Sequence, residues 1–503
     1  MALKKNLALA LAFGLAATAV QAQDLRIGLQ DDADVLDPDQ ARTFVGRIVF
    51  ESLCDKLVDI TPDLEIVPQL ATSWEFSEDG LQLTMTLRDD VVFHDGTPFD
   101  AAAAVANLDR SRNLPESRRS SEVSSISSVE AVDDTTILIT LTAPDATLLA
   151  QLSDRAGMMI SPTAAEEMGL DFGLTPVCSG PYQFVERIQQ DRIVLERFPD
   201  HWDAENYHFD TVTFLPIPDT TVRLANLRAG DLDMLERLAA TDLTSTSADA
   251  ALQTEQATSL GYQAMTINVG NGERSEGPLG QDARVRQALS LSIDRSVIAQ
   301  VVFEGAVAPG NQPWPPTSPW YNADFPIQER DVEAARALLA EAGFADGVDI
   351  TVQVANNPVQ QQVMQVVQAM AAEAGIRISL EAKEFATLLS DQTAGAYEAS
   401  QVGWSGRVDP DGNLHQFVTT GGGINDAGYS NAEVDAFLNE ARVSNDVDAR
   451  RASYNGASAI LMEDLPIVYL YHPVWIWAME AGIEGFVPYP DGMIRLAGVT
   501  MPE

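Results

Sequence analysis

Residues 348–380 change hydrophobic period twice, and that order constrains everything the chain can fold into. Val348 to Val354 alternates as a strand. Pro358 to Ala374 carries apolar residues at helical spacing and is stopped by Gly375. Ile376 to Leu380 is a second strand. This is a βαβ unit, and it requires a sheet covered by helices, so the fold class is α/β.

The flanking sequence extends the pattern. Leu25, Ile27 and Leu29 alternate as a strand, as do Leu81 to Leu87 and Ile137 to Leu141. Arg47 to Lys56 is helical, and Thr220 to Ala229 reads as a helix closed by Gly230. Tyr262 to Val269 reads as one strand and Ala283 to Phe303 as one long helical stretch. Asp331 to Ala342 is a helix, and helices around Asn431 to Arg442 and Asp448 to Asp464 precede the apolar strand Ile467 to Tyr471.

The N-terminus reads as an export signal. Lys4 and Lys5 precede an apolar run from Leu7 to Val20, and Val20-Gln21-Ala22 is a small-residue cleavage site, which starts the mature chain at Gln23. No cysteine stands there to carry a lipid anchor, so a periplasmic location without an anchor is expected. The mature chain of roughly 480 residues is long enough for two or three cores. A net charge of −43 argues against nucleic acid and anionic membranes as partners. Asp31, Asp32, Asp34, Asp37 and Asp39 are read as solvated surface. Cys54 and Cys178 are the two cysteines of the chain, and in an oxidising compartment such a pair most simply forms a disulfide.

Residues 403–413, GWSGRVDPDGN, are the densest chemistry in the sequence. They combine an aromatic plane (Trp404), a fixed cation (Arg407) and two carboxylates (Asp409, Asp411), as a site for a small polar molecule requires. Asp-Pro and Asp-Gly are equally ordinary turn residues, and the local sequence leaves both readings open.

Four segments carry a family resemblance: PQLATSW (68–74), DGLQLTMTLRDDVVFHDGTPF (79–99), SGPYQF (179–184) and DARVRQALSLSIDR (282–295). Together they resemble the extracytoplasmic solute-binding proteins of peptide-class ABC importers, which include dipeptide, oligopeptide, nickel, glutathione and opine binders. The resemblance implies a two-lobed periplasmic-binding-protein clamp of type II. Lobe I would span 23–269 and 469–503 and lobe II 270–468, with crossing strands near Ile267–Gly270 and Ile467–Tyr471. It further implies a monomer that buries a short peptide or peptide-like amino-acid conjugate between its lobes and delivers it to the ABC permease, without a cofactor.

In dipeptide binders of the family a carboxylate after Gly-Trp pairs with the ligand ammonium. Here that position holds Arg407, and no arginine follows the strand in VANNPVQ. The expectation is that Arg407 grips an anionic group, Asp409 takes a ligand amine and Trp404 walls the pocket. Thr43, Phe44, Met158 and Met159 would contribute from lobe I, with ordinary core packing as the competing explanation for each. An oligosaccharide or a nickel chelate is the alternative ligand. A secreted hydrolase is the rival class, against which the chain has no GxSxG and no HExxH. His94-Asp95-Gly96 reads as a structural turn.

Overall fold

The computed structural model describes residues 23–444 and 446–501; the expected export signal lies outside the described residues. A seven-stranded sheet runs in the order Leu252–Thr258, Val474–Glu480, Met234–Leu235, Asp24–Leu29, Thr211–Pro216, Arg192–Arg197, Tyr182–Ile188. Its alternating apolar residues pack with the helix Phe44–Leu53 in one core that includes Ile27, Ile48, Val212 and Trp477. The terminal strand Asp24–Leu29 pairs in parallel with Thr211–Pro216. A separate four-stranded antiparallel sheet, built on Gln82–Leu87 and Thr136–Leu141, packs Leu83, Met85, Ile137 and Ile139 beneath the helix Ala101–Asn113.

The second lobe is built on a six-stranded sheet: Ala308–Pro309, Ile467–His472, Tyr262–Ile267, Ala399–Trp404, Val348–Ala355, Ile376–Lys383. The βαβ unit is as its period requires. Val348–Ala355 and Ile376–Lys383 run parallel in unbroken register. The helix between them, Pro358–Glu373, begins where the Asn357 side chain accepts from the Val359 and Gln360 amides, with Pro358 at its first position. It buries Val363, Met364, Val367 and Met370 against the sheet.

Two expectations are corrected. The stretch 283–303 is two helices, Ala283–Leu291 and Arg295–Phe303, because Asp294 leaves the helix and caps the second through the Ser296 and Val297 amides. The chain also changes sheet at 259–261 and at Pro473, not near 267–270 and 467–471. Tyr262–Ile267 and Ile467–His472 are antiparallel neighbours inside the six-stranded sheet. The change points are where the ladder cannot continue. Pro473 has no amide to donate. Gly261 lies so close to the Trp404 carbonyl that a Cβ there would stand 1.8 Å from its oxygen. The His472 ring meets the Gly261 carbonyl at 2.8 Å and ties the two crossings together.

Cys54 and Cys178 are disulfide-bonded, with Cα atoms 4.9 Å apart, pinning the end of the helix Phe44–Leu53 to the turn before Tyr182–Ile188. Among the described residues no helix is long and apolar enough to cross a membrane.

Candidate functional site

A cavity of about 1270 Å³, its open mouth included, lies between the two lobes. Its lobe I wall begins with Gln30 and Asp31, immediately beyond the carboxyl end of the parallel strand Asp24–Leu29. Open α/β sheets place ligands at that end of their strands. Phe44 stacks on Trp475 at 4.7 Å and 12°, and the Arg237 guanidinium lies over both rings, at 4.6 and 4.8 Å. From lobe II, Trp404 presents its indole. The ring is fixed by its N–H donating to Asn413 Oδ1 at 3.0 Å and by an edge contact with Phe417. Two aromatic platforms therefore face one space, one from each lobe.

The charges of the cavity do not balance. Arg155, 1% exposed, lines it and donates one N–H to the Ala41 carbonyl at 2.7 Å; its Nε has no partner. Among the described residues no carboxylate stands within ion-pair distance of it. Burial, then the neighbouring Arg119 charge, push its pKa well below the ordinary guanidinium value. Arg119 is itself paired with Glu122 at 2.6 Å. Asp31 accepts from the Gln30 side chain at 3.0 Å. Burial raises its pKa to about 6 despite that bond and the Arg237 charge. One guanidinium and one carboxylate thus face the cavity without a matching charge of their own.

The residues singled out from sequence separate into two groups. Trp404 and Phe44 line the cavity. Arg407 does not. It is 5% exposed and crosses between the lobes, with Nε 2.5 Å from Asp154 Oδ2 and its guanidinium 4.1 Å over the Trp404 ring. Arg47 shares the same carboxylate and donates to Ser405 Oγ at 2.9 Å. Burial and the Arg47 charge pull Arg407 down to about 9, while the arginines around Asp154 hold its carboxyl well below the usual range. Asp409 is engaged within lobe II. It forms a two-pronged pair with Arg450, at 2.6 and 2.9 Å, and caps the turn Pro410–Asn413. Asp411 is held likewise by Arg442 at 2.7 Å.

Thr43 is the N-cap of its helix. Its hydroxyl accepts from the Gly46 amide and donates to Asp34 at 2.8 Å. Met158 and Met159 lie buried in two different hydrophobic cores, one on each side of a backbone whose alternate side chains face apart. The acidic run is not solvated surface either. The buried carboxylates of Asp32, Asp37 and Asp39 pair with half-buried arginines, Asp32 with Arg187 and the other two with Arg110. His94 is structural, set between the Gly180 carbonyl at 3.0 Å and the Cys178 amide at 3.2 Å. Arg155 and Asp31 were missed by the sequence reading. The signal for Asp31 was its place just past the first strand; Arg155 had none.

Other contacts close the lobes on one another. Arg42 reaches Asp426 at 2.6 Å and the Leu389 carbonyl at 3.1 Å, and the Ala146 amide donates to the Arg442 carbonyl at 2.9 Å.

Residues 65–425 match the family model described as bacterial extracellular solute-binding proteins, family 5 Middle. The chain belongs to that family. This family 5 protein is 29% identical over 495 residues to the glutathione-binding protein GsiB of Pectobacterium atrosepticum, covering 96% of this chain and 95% of the relative. It is 30% identical over 498 residues to the protein of the same name from Salmonella paratyphi A, covering 96% of each. Among solved structures, the dipeptide binding protein from Pseudoalteromonas sp. SM9913 in complex with Met-Leu superposes with a TM-score of 0.88. The match is 24% identical and covers 95% of this chain and 100% of that one. The type II two-lobed fold is therefore that of the family 5 binding proteins, and the family's members are binding proteins, not enzymes.

Proposed function

We propose that this family 5 protein is the periplasmic receptor of an ABC importer and that its ligand is a short, zwitterionic peptide or peptide-like amino-acid conjugate. The observation that carries the ligand class is the pair of unmatched charges in the inter-lobe cavity. Arg155 calls for a carboxylate, and Asp31 calls for an amine. Both belong to lobe I, so the ligand docks there first, between Phe44–Trp475 and the approaching Trp404. Lobe II then closes, and the closed pair of lobes is what the permease reads. The relatives named as glutathione-binding proteins, and the neighbour solved with Met-Leu, bind molecules of this charge pattern, which supports the reading. The export signal at residues 1–22, a mature form without a lipid anchor and a monomeric state belong to the same proposal.

The test is a thermal-shift screen of the mature protein against dipeptides, glutathione, opines and oligosaccharides. A bound ligand raises the melting temperature by mass action. The proposal expects the zwitterionic acidic compounds to do so and to lose the effect in Arg155→Met. Stabilisation by oligosaccharides alone, or equal stabilisation of Arg155→Met, overturns it.

A further inference from the structure

The inter-lobe seam holds a second cavity, of about 1200 Å³ with its open mouth. It shares five wall residues with the first: Gln30, Arg237, Gln263, Gln360 and Trp475. These side chains are a partition between two chambers. Gln30 donates to Asp31 at 3.0 Å and Gln263 accepts from Gln401 at 2.8 Å, and the other contacts are looser. Arg237 reaches Gln30 Oε1 at 3.4 Å, and Gln360 reaches the Tyr471 hydroxyl at 3.3 Å. Both stand at the long limit of a hydrogen bond, so Gln360 is the partition side chain whose rotation costs least.

Beyond the partition the walls change chemistry. Lobe II contributes Val302, Val307 and the exposed Val301, and Ile476 and Leu238 face them from lobe I. Val301 is 56% exposed and stands at the edge of the chamber beside the buried Val302. Two buried polar atoms at this chamber lack partners: Thr220 Oγ1 and Arg223 Nε. Arg223 is 1% exposed, and its other nitrogens are used by the Ile217, Pro218 and Arg237 carbonyls. What remains is one fixed donor and one hydroxyl beside an apolar wall.

We infer that the second chamber is a subsite for an apolar extension of the ligand, one further residue whose carbonyl accepts from Arg223 Nε and Thr220 Oγ1 and whose side chain covers Val301 and Val302. This rests on the peptide-like reading of the first chamber, and it adds that the partition opens to admit a longer molecule. The charged part of the ligand stays between Arg155 and Asp31, and length discrimination resides in the second chamber.

Calorimetric titration of the mature protein with Glu-Gly, Glu-Gly-Leu and Leu-Glu-Gly tests this. One of the two tripeptides is expected to bind at least tenfold tighter than the dipeptide, the order of gain for burying a leucine side chain. In Val301→Trp, which fills the chamber from an exposed helix position, the ratio of tripeptide to dipeptide affinity is expected to fall towards one. In Thr220→Val, which keeps the shape and removes the hydroxyl, the ratio is expected to fall by a few-fold. Tripeptides that bind no tighter than the dipeptide overturn the subsite while leaving the peptide reading intact, and so does an unchanged ratio in Val301→Trp. Failure of all three peptides to bind removes the peptide reading itself, and the subsite with it.

Discussion

Asp154→Asn isolates the electrostatics of closure. Asp154 belongs to lobe I, and its bonds to Arg47 exist whether the clamp is open or shut; its bond to Arg407 crosses the lobes and forms only on closing. At about 4 Å between charge centres and an effective dielectric of about 20, that cross-lobe attraction is worth about 4 kcal/mol. Asparagine has one side-chain oxygen, which stays where Oδ1 accepts from the Arg155 amide and from Arg47, so nothing of the Arg407 contact at Oδ2 is retained. The closed state therefore loses about 4 kcal/mol, and ligand affinity falls by roughly a thousandfold, since each 1.4 kcal/mol is tenfold. The loss is not relieved locally, because Arg47, Arg119 and Arg155 stay buried around the site. Asp154 also accepts from the Arg155 amide at 2.7 Å, which the amide oxygen of asparagine still does, so the lobe itself is expected to stay folded.

The assay is calorimetric titration with any peptide that stabilises the wild type, repeated in Arg407→Met and in the double variant. The cycle is expected to show a coupling of about 3–4 kcal/mol between the two positions. Additive effects would refute a latch. A different outcome would restore the role that the loop sequence suggests for Arg407. If that guanidinium grips the ligand directly, Asp154→Asn frees it and tightens binding of an anionic peptide, whereas Arg407→Met weakens it.

Three further expectations follow from the same geometry. Asp31 titrates near 6, so an amine-bearing ligand is expected to bind progressively more weakly as the pH falls through 6, by up to tenfold per unit; Asp31→Asn should be weak and flat from pH 5 to 8, and a pH-independent wild type would count against an ammonium contact. His94 is buried neutral, lowered by burial to about 4 against about 6.5 unfolded. Between those values the unfolded chain takes up a proton that the folded one refuses, so stability is lost as pH falls from about 6.5 towards 4, by up to about 1.4 kcal/mol per unit; His94→Gln should unfold in denaturant with a shallower pH dependence than the wild type. The Cys54–Cys178 bond closes a loop of sequence separation 124; the double alanine variant is expected to lose up to about 5 kcal/mol in denaturant titration, and an unchanged midpoint would show that the cross-link does not constrain the unfolded chain.

The fold was legible where a period carries it. The βαβ unit, the alternating strands of the four-stranded sheet and the capped helices each state their structure locally, through residues such as Asn357, Pro358 and Gly375. The second crossing was misplaced because an apolar run continues from Ile467 to Trp477 across the change of sheet, and the first because the strand from Tyr262 does not say which sheet it joins. The punctuation was there, in Gly261 and Pro473, but a glycine and a proline mark a change of direction without saying that the partner strand also changes. The split at Asp294 is of the same kind: aspartate inside an apolar helical pattern caps as readily as it continues, and packing decides.

The site was less legible, because what a charged side chain does depends on what faces it after folding. Arg407 was read as a cation in need of an anion, and it has one; the anion is Asp154, more than two hundred residues earlier and on the other lobe. Asp409 was read as needing a cation, and Arg450 supplies it. Each local inference found its chemistry and missed its partner, since no spacing rule connects residues that meet across a closing cleft. Charge accounting over the folded cluster recovers what the motif could not. Among the described residues, Arg47, Arg119, Arg155 and Arg407 surround two carboxylates, Asp154 and Glu122, so pairing there leaves positive charge in excess. Lobe II adds Arg407 to that excess as it closes, which the lobe I arginines oppose. A ligand carboxylate at Arg155 lowers the opposition, and closure becomes coupled to occupancy by charge as well as by shape.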